Sequence, residues 1–185
     1  MRRLLPVLLL AVIPALQGCF PVIATGVGAG ALMAGDRRTS GIYIEDQGIE
    51  LKAVSRIEDK YKSDIHVNAT SFNRHVLLTG EVPSEETKQG VSAIVMGVPN
   101  VNDVTNEMAI GNVAPLSSRS NDTFITSKVK GRMIDANRFA PNHVKVITEN
   151  SVVYLMGMVT RKEAEDAAEI ARTTSDVRKV VKVFE

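Results

Sequence analysis

Val76-Leu77-Leu78-Thr79-Gly80-Glu81-Val82 and Val153-Tyr154-Leu155-Met156-Gly157-Met158-Val159 are two versions of one segment: an apolar run, a glycine, then a return to apolar character. Ahead of each lies an alternating stretch, Ile65-His66-Val67-Asn68-Ala69 in the first copy and Val144-Lys145-Val146-Ile147-Thr148 in the second. A period of 2 sends successive side chains to opposite faces of a strand. Short polar groups, Asn73-Arg74 and Glu149-Asn150-Ser151, separate the two members of each pair, so each pair reads as a hairpin. Each hairpin is followed by apolar residues spaced near 3.6, the signature of a helix with one buried face. These are Val91, Ile94, Val95 and Val98 in one copy and Ala164, Ala167, Ala168 and Ala171 in the other. A closing strand carries Val101 and Val104 in the first copy, and Val177, Val180, Val181 and Val183 in the second.

Each copy also opens with a helix. Leu51, Val54, Ile57 and Tyr61 share a face in the first, and Asn121, Asp122 and Thr123 offer N-cap side chains for a helix running to about residue 135 in the second. The order helix, strand, strand, helix, strand therefore occurs twice. The economical way to bury it is an α+β fold: two αββαβ domains, each a small three-stranded mixed sheet covered on one face by two helices. Gly80 and Gly157 should then occupy equivalent places. The expected boundaries are 47–111 and 121–185, with the Pro- and Ser-containing stretch 112–120 as linker and the domains meeting there.

The N-terminus carries a different message. Arg2 and Arg3 precede an apolar run from Leu4 to Leu16, and Leu16-Gln17-Gly18-Cys19 closes it. Basic region, short apolar region and small residue before a cut are the order of a secretory signal over residues 1–18. Cys19 is the sole cysteine, and the pattern around it resembles a bacterial lipobox. Its thiol is the expected lipid-attachment site. Residues 19–46, with Gly26-x-Gly28-x-Gly30, read as a small-residue tether rather than a phosphate loop, which would need a strand before it and a helix after. Phe20 stands where Asp would resemble an inner-membrane retention signal, so the expected destination is the outer membrane, lipid-anchored and facing the periplasm.

Composition argues against several chemistries. No Gly-x-Ser-x-Gly elbow is present, and the one thiol belongs to the anchor, so no catalytic residues are assigned. His66, His75 and His143 lack the i, i+4 spacing or cysteine partners of a zinc site and read as exposed strand histidines; no metal or other cofactor is expected. Glu163, Glu165, Asp166 and Glu169 read as a solvated helix face. Nucleic-acid binding lacks its electrostatic footprint: the chain has no Trp, and residues 121–185 carry 11 basic against 9 acidic side chains, a net of +2. Residues 47–110, with 6 basic and 9 acidic, net −3, are the poorer candidate to approach an anionic surface.

One helix face stands out. In the stretch 123–134, Ile125, Val129 and Met133 recur at i, i+4, i+8 and must face the core. Phe124 and Ile134 then lie elsewhere, with Ser127, Lys128 and Gly131 among them and Lys130 and Arg132 nearby. An aromatic wedge in a basic rim suits a lipid headgroup layer, where the ring inserts and the cations pair with phosphate. The expected phospholipid-binding set is Phe124, Ser127, Lys128, Lys130, Gly131, Arg132 and Ile134.

Taken together, Leu16-Gln17-Gly18-Cys19, Asp36-Arg37-Arg38-Thr39, Met96-Gly97-Val98, Ser120-Asn121-Asp122-Thr123, Val144-Lys145-Val146 and Thr148-Glu149-Asn150 resemble the BON-domain family, specifically the dual-BON outer-membrane lipoproteins. That resemblance implies an αββαβ fold in each half and a role in outer-membrane integrity. It also implies binding of anionic phospholipid, phosphatidylglycerol or cardiolipin, through the second domain. An aromatic, often Trp, stands in that family at the position matching Phe124. The rival expectation is an envelope scaffold that docks an outer-membrane protein through the same helix face.

Overall fold

The computed structural model describes residues 36–62 and 65–185. The expected signal, Cys19 and the glycine stretch of the tether lie outside the described residues. The element order is α1 (Ser40–Tyr61), β1 (His66–Phe72), β2 (His75–Val82), α2 (Glu85–Met96), β3 (Asp103–Asn106) and β4 (Ala109–Ile110) in the first copy. The second has α3 (Leu116–Ala136), a 3₁₀ turn (Pro141–His143), β5 (Lys145–Glu149), β6 (Val152–Gly157), α4 (Arg161–Arg172) and β7 (Lys179–Phe184). In both copies the second strand is central: it pairs antiparallel with the first and parallel with the last. The short β4 extends the parallel pairing to Glu81 and Val82. Both sheets are therefore mixed, as expected.

The hairpins form because their two-residue turns can enter the left-handed region. Asn73 and Arg74 have φ of 52° and 66°, and Asn150 and Ser151 have 50° and 60°, the sign that a two-residue turn matched to strand twist demands. Glu149 is thus the last residue of β5, opposite Val152, and not part of the turn as its polarity suggested. Each turn is held by a buried carboxylate from the first helix of its own domain. Asp46 accepts from the Asn73 and Arg74 amides, both at 2.8 Å, and Asp122 accepts from Asn150 and Ser151, both at 2.8 Å. Gly80 and Gly157 do occupy equivalent places: a methyl at either would collide with a backbone carbonyl, that of His66 or of His143.

The Asp46 and Asp122 anchors explain where the sequence reading of the first helices fails. Asp122 turns inward to the hairpin and is no N-cap, so α3 starts at Leu116, inside the expected linker, with Pro115 before it. Likewise α1 starts at Ser40 behind the Thr39 cap, inside the expected tether, and Arg38 donates to Asp46 at 2.9 Å. The buried stripe of α1 is Asp46, Ile49, Ala53 and Ile57, which matches Asp122, Ile125, Val129 and Met133 residue for residue. Leu51, expected on that stripe, is 70% exposed.

Each domain has its own core between sheet and helices. Val76, Leu78 and Val82 pack with Ile49, Ala53, Ile57, Val91 and Val95 in the first. Val153 and Leu155 pack with Ile125, Val129, Met133, Ala167 and Ile170 in the second. A third cluster is shared. Phe72 and Leu77 of the first domain pack with Tyr154, Met156 and Val183 of the second. The domains therefore meet through the free faces of their sheets, and not at the linker. This accounts for the unbroken burial of β2 from Val76 to Val82 and of β6 from Val153 to Gly157, since a strand covered on both faces needs apolar side chains on both. Burial pushes the Tyr154 phenol up to about 12. Polar contacts frame the seam: Lys145 to Glu50 at 2.7 Å, Asn73 to Glu185 at 2.6 Å, and Asn68 to Glu149 at 2.8 Å.

Candidate functional site

The outer face of α3 is set by what its inner face must do. Ile125, Val129 and Met133 are fully in the core, and Asp122 is committed to the hairpin turn. At 100° per residue the opposite side carries Leu116, Phe124, Ser127, Gly131 and Ile134. Phe124 is 60% exposed and Ile134 62%. Leu116 shares this face and is also exposed; the sequence reading had placed it in the linker.

The basic groups of this face are not equivalent. Lys128 Nζ sits 4.7 Å from the Phe124 ring centroid, within cation–π range, and also bonds Asp176 and the Ser175 carbonyl. The Lys128 hydrogen bond holds the Asp176 carboxyl below its ordinary range. Arg132 reaches across to the end of α4, donating to the Ile170 carbonyl at 3.1 Å and to Thr174 Oγ1 at 2.8 Å. Lys130 is exposed, and no hydrogen bond or ion pair holds it among the described residues. Lys128, Gly131, Arg132 and Asp135 line a shallow groove with Thr173, Thr174 and Ser175, so two cations and three hydroxyl-bearing residues converge beside the exposed ring.

Elsewhere the acidic residues of α4 divide into two kinds. Glu165 and Glu169 are solvated as expected. Glu163 caps its own helix through Thr160 and takes a two-armed contact from Arg37 at 2.9 and 2.8 Å. The Arg37 hydrogen bond, first among the causes, pulls the Glu163 carboxyl down to about 2. Asp166 is also largely covered, between Lys162 and Arg138.

The histidines are not exposed strand residues either. His75 faces Thr105 at 2.7 Å, and His143 is mostly covered beside Glu163. His66 lies in the seam opposite Glu81, with Nδ1 3.1 Å from Glu81 Oε2 and 3.9 Å from Glu149 Oε1 of the other domain. Burial, the leading cause, raises the Glu149 carboxyl above its ordinary range, against the opposing pull of the Asn68 hydrogen bond. The hairpin register would have given the His66–Glu81 pair; Glu149 arrives only with the second domain.

Known proteins resemble this chain in sequence. The BON domain family model matches twice, over residues 45–112 and 121–185. The outer membrane lipoprotein DolP of Haemophilus influenzae is 39% identical over 91% of this chain and 89% of its own length. The 21 kDa hemolysin of Actinobacillus pleuropneumoniae is 29% identical over 80% of this chain and 78% of its own. Osmotically-inducible protein Y of Escherichia coli K12 is 28% identical over 84% of this chain and 80% of its own. No helix among the described residues is long and apolar enough to cross a membrane. With two αββαβ units, two family matches and a DolP-like sequence along most of its length, the chain belongs to the BON-domain family, as an outer-membrane lipoprotein that faces the periplasm.

Proposed function

We propose that this protein is a non-enzymatic binding module, anchored by acyl chains on Cys19, that engages anionic phospholipid through the second domain and thereby supports outer-membrane integrity. The engaging face comprises Phe124, Ser127, Lys128, Lys130, Gly131, Arg132 and Ile134, with Leu116 added. The observation that carries the reading is Phe124: an aromatic ring 60% exposed on a helix whose core stripe is already filled. Inserting such a ring into acyl chains contributes about 1.5–3 kcal/mol. Each lysine or arginine near an anionic surface adds about 1 kcal/mol. Lys130 and Arg132, which no carboxylate pairs among the described residues, supply most of this, and Lys128 less because Asp176 already neutralises it. Of the groove hydroxyls, that of Ser175 is placed to donate to a phosphate oxygen, since those of Thr173 and Thr174 donate to backbone carbonyls of α4. The sequence boundaries of the anchor, cleavage after residue 18 and attachment at Cys19, belong to the same proposal and are checked by mass spectrometry of the mature N-terminus.

Flotation of the unlipidated Cys19→Ser protein with vesicles tests the lipid reading, because binding then rests on the folded domains alone. Phosphatidylcholine vesicles containing phosphatidylglycerol or cardiolipin should carry the protein upward, and pure phosphatidylcholine should not. Equal failure on all three compositions overturns the lipid reading and leaves docking of an outer-membrane protein by the same face as the better account.

A further inference from the structure

We propose that His66, Glu81 and Glu149 form a divalent-cation site of the zinc class, which clamps the two domains together across the seam. The three donor groups lie within 4.8 Å of one another. The carboxylate residues are 5% and 7% exposed, yet no lysine or arginine pairs with either among the described residues. Two carboxylates brought this close in a water-poor interface repel each other and call for a compact positive charge. Among the described residues, His66 is the only basic group in contact with them.

The geometry suits a small tetrahedral ion. Two atoms each bonded to one zinc at about 2.0–2.1 Å stand about 3.4 Å apart. The separations from His66 Nδ1, 3.1 Å to Glu81 and 3.9 Å to Glu149, fall on either side of that value. Outer partners already orient the carboxylates: Asn68 and Thr79 donate to Glu149 Oε2, and the Ala114 amide donates to Glu81 Oε2. Glu149 Oε1 accepts no hydrogen bond among the described residues, and Glu81 Oε2, the oxygen nearest His66, keeps a lone pair beside the one that takes the Ala114 amide. Conserving such partners around the ligands is how metal sites fix ligand orientation. One nitrogen and two oxygens fit a three-ligand zinc site completed by water. They fall short of the six to eight oxygens that calcium takes, and the imidazole is foreign to magnesium sites. Two ligands come from β1 and β2 and the third from β5, so a bound ion would add interdomain bonds that the unfolded chain lacks.

Titration calorimetry of the EDTA-stripped Cys19→Ser protein with zinc chloride, and separately with magnesium chloride, tests this. The expected result is one zinc per chain at micromolar or lower Kd, no magnesium binding, and a Tm raised by several degrees in excess zinc. His66→Gln and Glu149→Gln should each weaken zinc binding at least tenfold, with circular dichroism unchanged, whereas His75→Gln should leave it as in the parent. Absence of zinc binding by the parent overturns the proposal. So does binding that survives both His66→Gln and Glu149→Gln, or that is lost in His75→Gln.

Discussion

The two domains share a backbone plan but differ in what their first helices show to the outside. Aligned on Asp46 and Asp122, Phe124 of α3 stands where α1 has Gly48, Lys130 where it has Val54, and Ile134 where it has Glu58. Arg132 aligns with Arg56, and the two do the same job: Arg56 donates to the Gly97 carbonyl at 2.7 Å, as Arg132 donates to that of Ile170. Duplicated residues thus maintain the fold, and the residues particular to one copy are where a distinct function belongs. Phe124, Lys130 and Ile134 are those residues in the second domain; Arg132 serves both purposes.

The seam is what the two domains hold in common, and breaking it should have the largest effect. Leu77 and Met156 approach it from opposite sides and are fully buried. Leu77→Ala or Met156→Ala should cost about 2–5 kcal/mol and lower one shared unfolding transition in calorimetry. Two separated transitions in the parent would show that the domains do not stabilise each other. Next comes the contrast between the outer faces. Phe124→Glu should weaken binding to phosphatidylglycerol vesicles at least tenfold with Tm nearly unchanged, while Gly48→Glu should leave binding as it is. Lys130→Glu should weaken it severalfold, and less so at high salt, since its contribution is screened.

The shared arginines sharpen the comparison from the other side. Arg56→Ala and Arg132→Ala should each cost about 1 kcal/mol, but only Arg132→Ala should also weaken vesicle binding. The smallest effect concerns Glu163, whose carboxyl is pulled to about 2 from an ordinary value near 4.5. A lowered carboxyl stabilises the fold above the ordinary value and loses that contribution as pH falls toward 2. Parent protein should therefore lose stability over this range more steeply than Glu163→Gln, measured by denaturation at stepped pH.

Much of this was legible in the chain itself. Alternation before Asn73 and Asn150, and the matched Gly80 and Gly157, were enough to set both hairpins and the register of the first; in the second, Glu149 was read into the turn although it pairs with Val152. The first helices were harder, because Ile57 belongs equally to the stripe with Val54 and Tyr61 and to the true one with Ile49 and Ala53. Ala53 is too small to announce itself, and Asp46 and Asp122 are polar residues buried by a tertiary bond. A run such as Asn121-Asp122-Thr123 looks like a cap until the hairpin that needs its carboxylate is in place. The seam left a trace in the unbroken apolar runs of β2 and β6, which an isolated sheet with one wet face would not need. Its polar end left half a trace: the hairpin register joins His66 to Glu81, but only domain packing adds Glu149. On α3, by contrast, helical periodicity alone placed Phe124 off the core stripe, and its exposure follows because no other element covers that face among the described residues.

The chain has no Trp, which allows a direct look at the central claim. In the Cys19→Ser background, Phe124→Trp places a lone indole on the outer face of α3. Gly48→Trp places one at the matching position of α1, where an added Cβ meets no atom within 4 Å. On addition of phosphatidylglycerol vesicles, emission from position 124 should shift to the blue and resist aqueous quenchers, while emission from position 48 stays as in buffer. No shift at 124, or equal shifts at both positions, would contradict the assignment of lipid recognition to the second domain's first helix.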